Sequence, residues 1–443
     1  MRISLLLLLT PVVWGQDALS LRDAVRLALR ENKAIAGGNA AAKASDTRIV
    51  QAGAGRLPKV NYSESFARSD NPVFVFSSLL TQHQFTTGNF AIDTLNRPGF
   101  LNNFQSLVTV DQPIYDAGQT KHAVQGAELS RRMTGEEQRR IEMEAIAQTV
   151  RAYYGVQLAE ENLKAAEQAV RSAEADLKRA EDVRAAGMST DVDVLSVRVH
   201  LAAMTEQRID RAAALSVARP ALNDALGLPL DTPHTLTTPL AALTLSGPEL
   251  SGLESLGAGD RPEARQSKLA IDMAQTQAAG ARGAMLPQVG FRGAFEADRQ
   301  RFVTRGGVNW LASVSLRWNL FNGSADKARI AETEHLLVRA QSEQQRADSA
   351  IRLQVRQAYA GLQAAGQRIQ VAGAAVAQAE ESLRITQNRY AAGMNNVTDL
   401  LRTESAVLDS RTRYLAAIHD QRIAALMLEY AVGRLTADSE VLN

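Results

Sequence analysis

The sequence predicts a mainly α-helical protein that also carries four β-strands, arranged as two copies of one unit. Three observations lead there. Aromatic residues make up only 5% of the 443, and long stretches are built from Ala, Leu, Gln, Glu and Arg, a bias towards long helices. Ala-Ala-Gly-Met at 185–188 returns at 391–394, and Asp193 and Leu195 return as Asp399 and Leu401, always 206 residues apart. Between the helical stretches lie short segments in which apolar and polar residues alternate.

The chain opens with MRISLLLLLTPVVWGQ. Arg2, an apolar run over 3–14, and small Val13 and Gly15 before Gln16 have the layout of a signal peptide covering 1–15, so export is expected. The run is too short to span a bilayer, and no later run of 18 apolar residues predicts a helical span. The absence of cysteine excludes disulfides, thiolate metal sites, thiol nucleophiles and an N-terminal lipid anchor on cysteine. A net charge of +1 gives no argument for nucleic acid as a partner.

The first repeat runs over 16–230 and the second over 261–436, with a connector at 231–260 and a tail at 437–443. The connector is rich in Thr, Pro, Gly and Ser. Each copy reads as helix, two strands, very long helix, turn, helix. The first helices, about 33–56 and 262–285, stop at Leu57-Pro58 and Leu286-Pro287, where proline forbids continuation. Strands follow at about 58–68 and 104–115 in the first copy, and at about 287–297 and 309–321 in the second. In the last of these Trp310, Val314, Leu316, Trp318 and Leu320 share one face, and Ser313, Ser315, Arg317 and Asn319 the other. The first copy holds a longer loop between its strands, roughly 70–103. Its apolar run at 73–76 is expected to be packed, because large exposed apolar patches are rare without a partner.

From 119 to 184 and from 325 to 390 there is no proline, so each segment is predicted as one helix of roughly 100 Å at 1.5 Å per residue. Leu163, Ala166, Val170, Ala173, Leu177 and Ala180 keep an a/d heptad, repeated by Ile369, Ala372, Val376, Ala379, Leu383 and Thr386. Large and small seam residues alternate, as close packing of neighbouring helices requires. Helices over 191–226 and 397–432 follow, the first with a kink at Pro220. Each copy thus builds one helical hairpin, and both hairpins finish at the same end. At the tips, Gly187 and Gly393 read as glycines that end a helix with positive φ. Thr190-x-x-Asp193 and Asn396-x-x-Asp399 read as helix N-caps with an acidic third residue.

Four strands of about ten residues either belong to a soluble sandwich or cross a bilayer. Lipid does not tolerate an open sheet edge, so the membrane alternative requires several chains to pool their strands in one barrel. The polar face would then line a lumen, with Trp310 and Trp318 near the two lipid–water interfaces. In the soluble alternative both tryptophans are core.

On LPKV and LPQV before the strands, IYDAG and LFNGS at the strand-to-helix junctions, and AAGMSTDVDVL and AAGMNNVTDLL at the tips, the chain resembles the TolC-type outer-membrane efflux proteins over essentially its whole mature length. The resemblance implies a long coiled α-helical barrel plus four transmembrane β-strands per chain, completing a 12-stranded barrel in a homotrimer. It implies a place in the outer-membrane lipid with a periplasmic helical extension. As partners it implies a periplasmic adaptor (membrane fusion) protein and an inner-membrane transporter, with no cofactor. The tips Ala185, Ala186, Gly187, Met188 and Ala391, Ala392, Gly393, Met394 are then expected to seat the adaptor. Asp399, Arg402, Tyr390 and Asn395 are expected at the periplasmic gate. Asp399 matches a pore-facing aspartate of the family, Tyr390 a residue that latches the closed tip, and Arg402 stands where some members carry a second aspartate.

No enzyme is expected. The histidines His83, His122, His200, His234, His335 and His419 show no ligand spacing and read as solvated or packed. Asp191-Val192-Asp193 opens a helix rather than a metal site, and no nucleophile elbow or phosphate loop is found. The same channel in a type I protein secretion system, or a periplasmic coiled-coil adaptor or scaffold, are the alternative readings.

Overall fold

A computed structural model describes residues 17–244, 249–303 and 306–442. The signal segment 1–15 lies outside the described residues. In chain order the elements are β1 (Asp17–Leu19), α1 (Leu21–Glu31), α2 (Lys33–Gly53), β2 (Lys59–Ser69), α3 (Pro72–Thr81), α4 (Ile92–Asn96), β3 (Leu101–Tyr115) and α5 (Gln119–Ala185). They continue as α6 (Asp191–Leu226), β4 (His234–Leu236), α7 (Leu250–Asp260), α8 (Pro262–Gly283), β5 (Gln288–Arg299), β6 (Gly307–Arg317), α9 (Ala325–Ala391) and α10 (Val397–Val432). The helices α5 and α9 have 67 residues each, and α6 and α10 have 36 each. The hairpin helices of the two copies therefore match in length, and α6 and α10 each stop at a left-handed glycine, Gly227 and Gly433.

The chain divides into two compact units, each drawing on both copies. One comprises the described residues of Met1–Ala41, Gly135–Ser267 and Gln344–Asn443. Its core gathers Leu21, Val25, Val150, Tyr153, Tyr154, Leu226 and Leu426 from α1, α5, α6 and α10. Tyr153 is fully buried, and its hydroxyl donates to Leu19 O and accepts from Thr238 N–H, both at 2.9 Å. That single oxygen ties α5 to the backbone around β1 and β4, which pair in parallel.

The connector 231–260 carries two elements: β4 pairs with β1, and α7 packs by Leu253 against Val355, Ala431 and Val432. Turn-forming composition hid a helix whose Leu250, Leu253 and Leu256 repeat at helical spacing on one face. Pro220 lies inside α6, which runs on past it for six residues to a left-handed Gly227. His200 has no ligand spacing in sequence, yet it is buried against Glu404.

The other unit, Ala42–Thr134 and Lys268–Glu343, holds a four-stranded antiparallel sheet in the order β2-β3-β5-β6. The central β3–β5 pairing joins the two copies in one sheet. Register places Val60, Val110 and Gly293 in line, then Tyr62, Val108, Phe295 and Trp310, then Phe66 and Phe104. All stand on one side, with Val308, Val314 and Leu316. The opposite side carries Asn61, Ser63, Thr109, Asp111, Arg292, Glu296, Ser313 and Ser315, and Arg292 pairs with Asp111 at 3.4 Å across it. The strand expected at 309–321 ends instead at Arg317, whose partner Gln288 is the first residue of β5. Pro287 before it has no N–H to offer, so Trp318, Asn319 and Leu320 leave the ladder. Trp318 then donates its indole N–H to Met285 O at 3.1 Å.

The enlarged loop contains α3 and α4. Asn71 caps α3 by accepting from Val73 N–H and Phe74 N–H. Val75 and Ser78 are buried and Phe74 and Phe76 half-buried, while Val73 stays exposed. Packing of the apolar run at 73–76 is thus partial within one chain. Buried Gln82 anchors the loop by donating to Asn102 O and Asn103 Oδ1, and Asn103 donates on to Asp298 at 2.6 Å.

Candidate functional site at the paired hairpin tips

Both hairpins end in the same backbone device. In the first, Gly187 N–H donates to Arg184 O at 2.8 Å and Met188 N–H to Val183 O at 3.1 Å. In the second, Gly393 N–H donates to Tyr390 O at 3.0 Å and Met394 N–H to Arg389 O at 2.9 Å. This pattern satisfies the last carbonyls of α5 and α9 and requires a left-handed residue. Gly187 and Gly393 supply it at φ +74° and +71°. Ala185, Ala186, Met188, Ala391, Ala392 and Met394 are exposed around them.

The chemistry of the two turns differs. At the first, Thr190 and Asp193 form a reciprocal capping box: Thr190 Oγ1 accepts from Asp193 N–H at 3.3 Å, and Thr190 N–H donates to Asp193 Oδ2 at 3.1 Å. Ser189 and Thr190 hydroxyls donate to the same oxygen. The Thr190 bonds above all, together with Ser189, hold the Asp193 carboxyl below the usual carboxylate range. Asp191 is ion-paired with Arg184, closing the turn. At the second, Asn396 Oδ1 accepts from Asp399 N–H at 2.8 Å, but the Asp399 carboxylate has no hydrogen bond or ion pair among the described residues. Asp193 is consumed by its cap; Asp399 is left with its charge unspent. Arg402 is exposed, and Asn395 is half-buried.

Where the first tip has Arg184 and Asp191, the second has Tyr390 and Val397, and this difference joins the two. Ala180, Val194, Val197 and Val397 form one buried cluster, with Leu177, Tyr390 and Leu401 packed against it. Burial first, then the charges of Asp193 and Asp176, push the Tyr390 phenol up. Tyr390 therefore sits where the second hairpin rests on the first. Beside this cluster lie three side chains that sequence reasoning passed over: Asp176, His200 and Glu404. Their signal was present. Val397, Leu400, Glu404 and Val407 share one seam of α10, so a carboxylate occupies a position that the a/d pattern reserves for an apolar residue.

Among the described residues, no three His, Asp or Glu side chains gather as a metal site, and no helix is long and apolar enough to cross a membrane.

The sequence profile of the family described as outer membrane efflux protein matches residues 24–228 and 257–434. The chain belongs to that family. Protein CyaE of Bordetella pertussis is 26% identical over 437 residues, which cover 96% of this chain and 86% of that protein. The outer membrane efflux protein BepC of Brucella suis is 25% identical over 444 residues, covering 96% and 88%. Among solved structures, the Campylobacter jejuni CmeC outer membrane channel aligns with a TM-score of 0.80 at 15% identity, over 97% of this chain and 92% of that one. The Vibrio cholerae outer membrane protein VceC aligns with a TM-score of 0.76 at 18% identity, over 93% and 96%. The fold of this outer membrane efflux protein is thus TolC-like, and its place is the outer membrane, as a channel of efflux systems. A free periplasmic scaffold is set aside by the same finding.

Proposed function

We propose that three copies of this chain pool their sheets into a 12-stranded barrel, and that the trimer is the passive exit duct of a tripartite efflux system. One observation carries the reading. The four-stranded sheet has two unpaired edges, β2 and β6, and an apolar side that leaves Trp310 79% and Val314 66% exposed in a single chain. In lipid such a side is at home, but open edges are not, and identical neighbours close them. The polar side, with Arg292, Asp111 and Glu296, then faces a water-filled bore.

The paired tips form the other end of the reading. Exposed Ala185, Ala186, Gly187 and Met188, with their counterparts Ala391, Ala392, Gly393 and Met394, seat a periplasmic adaptor that links the duct to an inner-membrane transporter. Asp399, free of local partners, faces the pore and gives an acidic ring by threefold repetition, with Tyr390, Asn395 and Arg402 beside it at the gate. No catalytic step is assigned; energy for transport comes from the transporter. Sedimentation of the detergent-solubilised protein, together with planar-bilayer recording, tests the proposal. A trimer that conducts supports it; a monomer without conductance ends it.

A further inference from the structure

Ser69, the last residue of β2, pairs with Leu101, the first of β3, so a two-residue turn would be enough to join the strands. The chain instead inserts residues 70–100, and α3 crosses the sheet before the return. Thr81, the last residue of α3, accepts from Asn309 Nδ2 of β6 at its carbonyl oxygen, at 3.1 Å. Gln82 is 1% exposed and donates to Asn103 Oδ1 of β3 at 2.9 Å, and Asn103 donates on to Asp298 of β5, which is fully buried. Ten residues of helix rise about 15 Å, and the three spacings from β2 to β6 measure about 14 Å, so α3 is long enough to reach from one edge of the sheet to the other.

Alternation fixes the side. Asn103, Asp298 and Asn309 are in phase with Thr109, Arg292 and Ser313, so all three anchors stand on the polar side of the sheet. Gly307 shares that side, opposite Asp298, and a Cβ there would collide with the Thr81 carbonyl oxygen and come within 2.8 Å of the Gln82 carbonyl carbon. The end of α3 is therefore seated directly on the strand, and only glycine leaves it room. A helix written PVFVFSSLLT would be expected to cover the apolar side of a sheet; this one approaches β3, β5 and β6 across the polar side instead.

In the pooled barrel proposed above, on which this inference rests, the polar side is the wall of the bore. β3 and β6 run from the loop end of the sheet towards the starts of α5 and α9, so the loop end is the outer mouth of a duct whose helices extend into the periplasm. A 12-stranded wall is about 24 Å across at the backbone, from a strand spacing of about 4.8 Å and a tilt of about 40°. A helix with its side chains is about 10–12 Å thick, so three copies of α3 inside the rim leave only a narrow opening. We infer that α3 is a constriction at the outer mouth, held to the bore wall through Gln82, Asn103 and Gly307, and that it sets the size of solute able to enter the duct from outside.

The chain has no cysteine, so Ser313→Cys places a single thiol on the polar side of β6, further from the rim than Asn309. Whole cells carrying the full-length protein are treated from outside with a bulky, membrane-impermeant maleimide. Labelling is expected to be slow in the Ser313→Cys parent. It is expected to be several-fold faster when residues 70–100 are replaced by Asn-Gly, or when Gly307→Val pushes the end of α3 off the strand. Assembly of each variant is checked on a native gel, and whichever of the two assembles carries the comparison. Equal labelling rates in a protein that is trimeric and conducts overturn the constriction and leave the duct standing. A monomer without conductance removes the duct, and the constriction falls with it.

Discussion

Phe295 on β5 stands directly opposite Trp310 on β6, and both rings project from the apolar side of the sheet. Beyond the Gly293–Ala312 pair on the same side, Val314 faces Phe291, while Ser313 and Arg292 pair on the polar side. If this apolar side meets lipid, Val314→Arg costs about 2–4 kcal/mol near the bilayer midplane. Ser313→Arg, one residue away on the other side, costs little. Urea unfolding from lipid vesicles measures both, and equal losses would place the sheet in water.

The two tip aspartates are predicted to separate by function. Asp193→Ala removes a reciprocal cap and lowers thermal stability by about 1 kcal/mol, with channel properties retained. Asp399→Ala leaves the backbone cap from Asn396 in place, so stability is unchanged while single-channel conductance or cation block shifts.

Acid titration follows from the same cap. The folded-state value of Asp193 is depressed, so its contribution is present above the unfolded carboxylate value of about 3.9 and is lost as pH falls through the lower folded value. Hydrogen exchange at the first turn of α6 is expected to quicken below pH 4 in the parent protein. In Asp193→Asn the acid-induced change disappears.

Gly393→Pro removes both the left-handed backbone geometry and the N–H that donates to Tyr390 O. Proline cannot adopt φ +71°, so the turn must rearrange, while the sheet lies in the other unit and is untouched. Pump assembly and drug resistance are expected to fall with the trimer intact on a native gel. Full resistance in this variant would remove the docking role from the second tip.

Tyr153→Phe strips one buried oxygen and leaves Thr238 N–H without its partner, while Leu19 O keeps the bond from Thr237 N–H at 3.2 Å. Leaving one such group unpaired costs about 1–3 kcal/mol before any relaxation. A drop in melting temperature with unchanged conductance is the predicted pattern, read by calorimetry and bilayer recording.

Much of this molecule was legible before any coordinates, because its punctuation is local. Proline after Leu57 and Leu286, glycine at 187 and 393, and capping residues at 190 and 396 each act within a few residues of themselves. They bounded the four long helices to within one residue. Composition misled where a helix was written in turn-forming residues, as in α7, and alternation misled where a partner strand ran out, as beyond Arg317. The tip residues named in advance do lie together around two like turns. The Asp176–His200–Glu404 group was missed because its members are far apart in the chain and belong to both copies.

By itself the sequence determined that there are two copies, where each helix and turn begins, and which side of each strand is apolar, because periodicity and capping are properties of a short stretch of chain. Only the tertiary structure decided that β3 and β5 merge the copies into one sheet, that the second tip rests on the first through Val397 and Tyr390, and that His200 of the first hairpin meets Glu404 of the second away from solvent. Those are pairings between distant segments. Burial and register set them, and neither is defined until the segments have met.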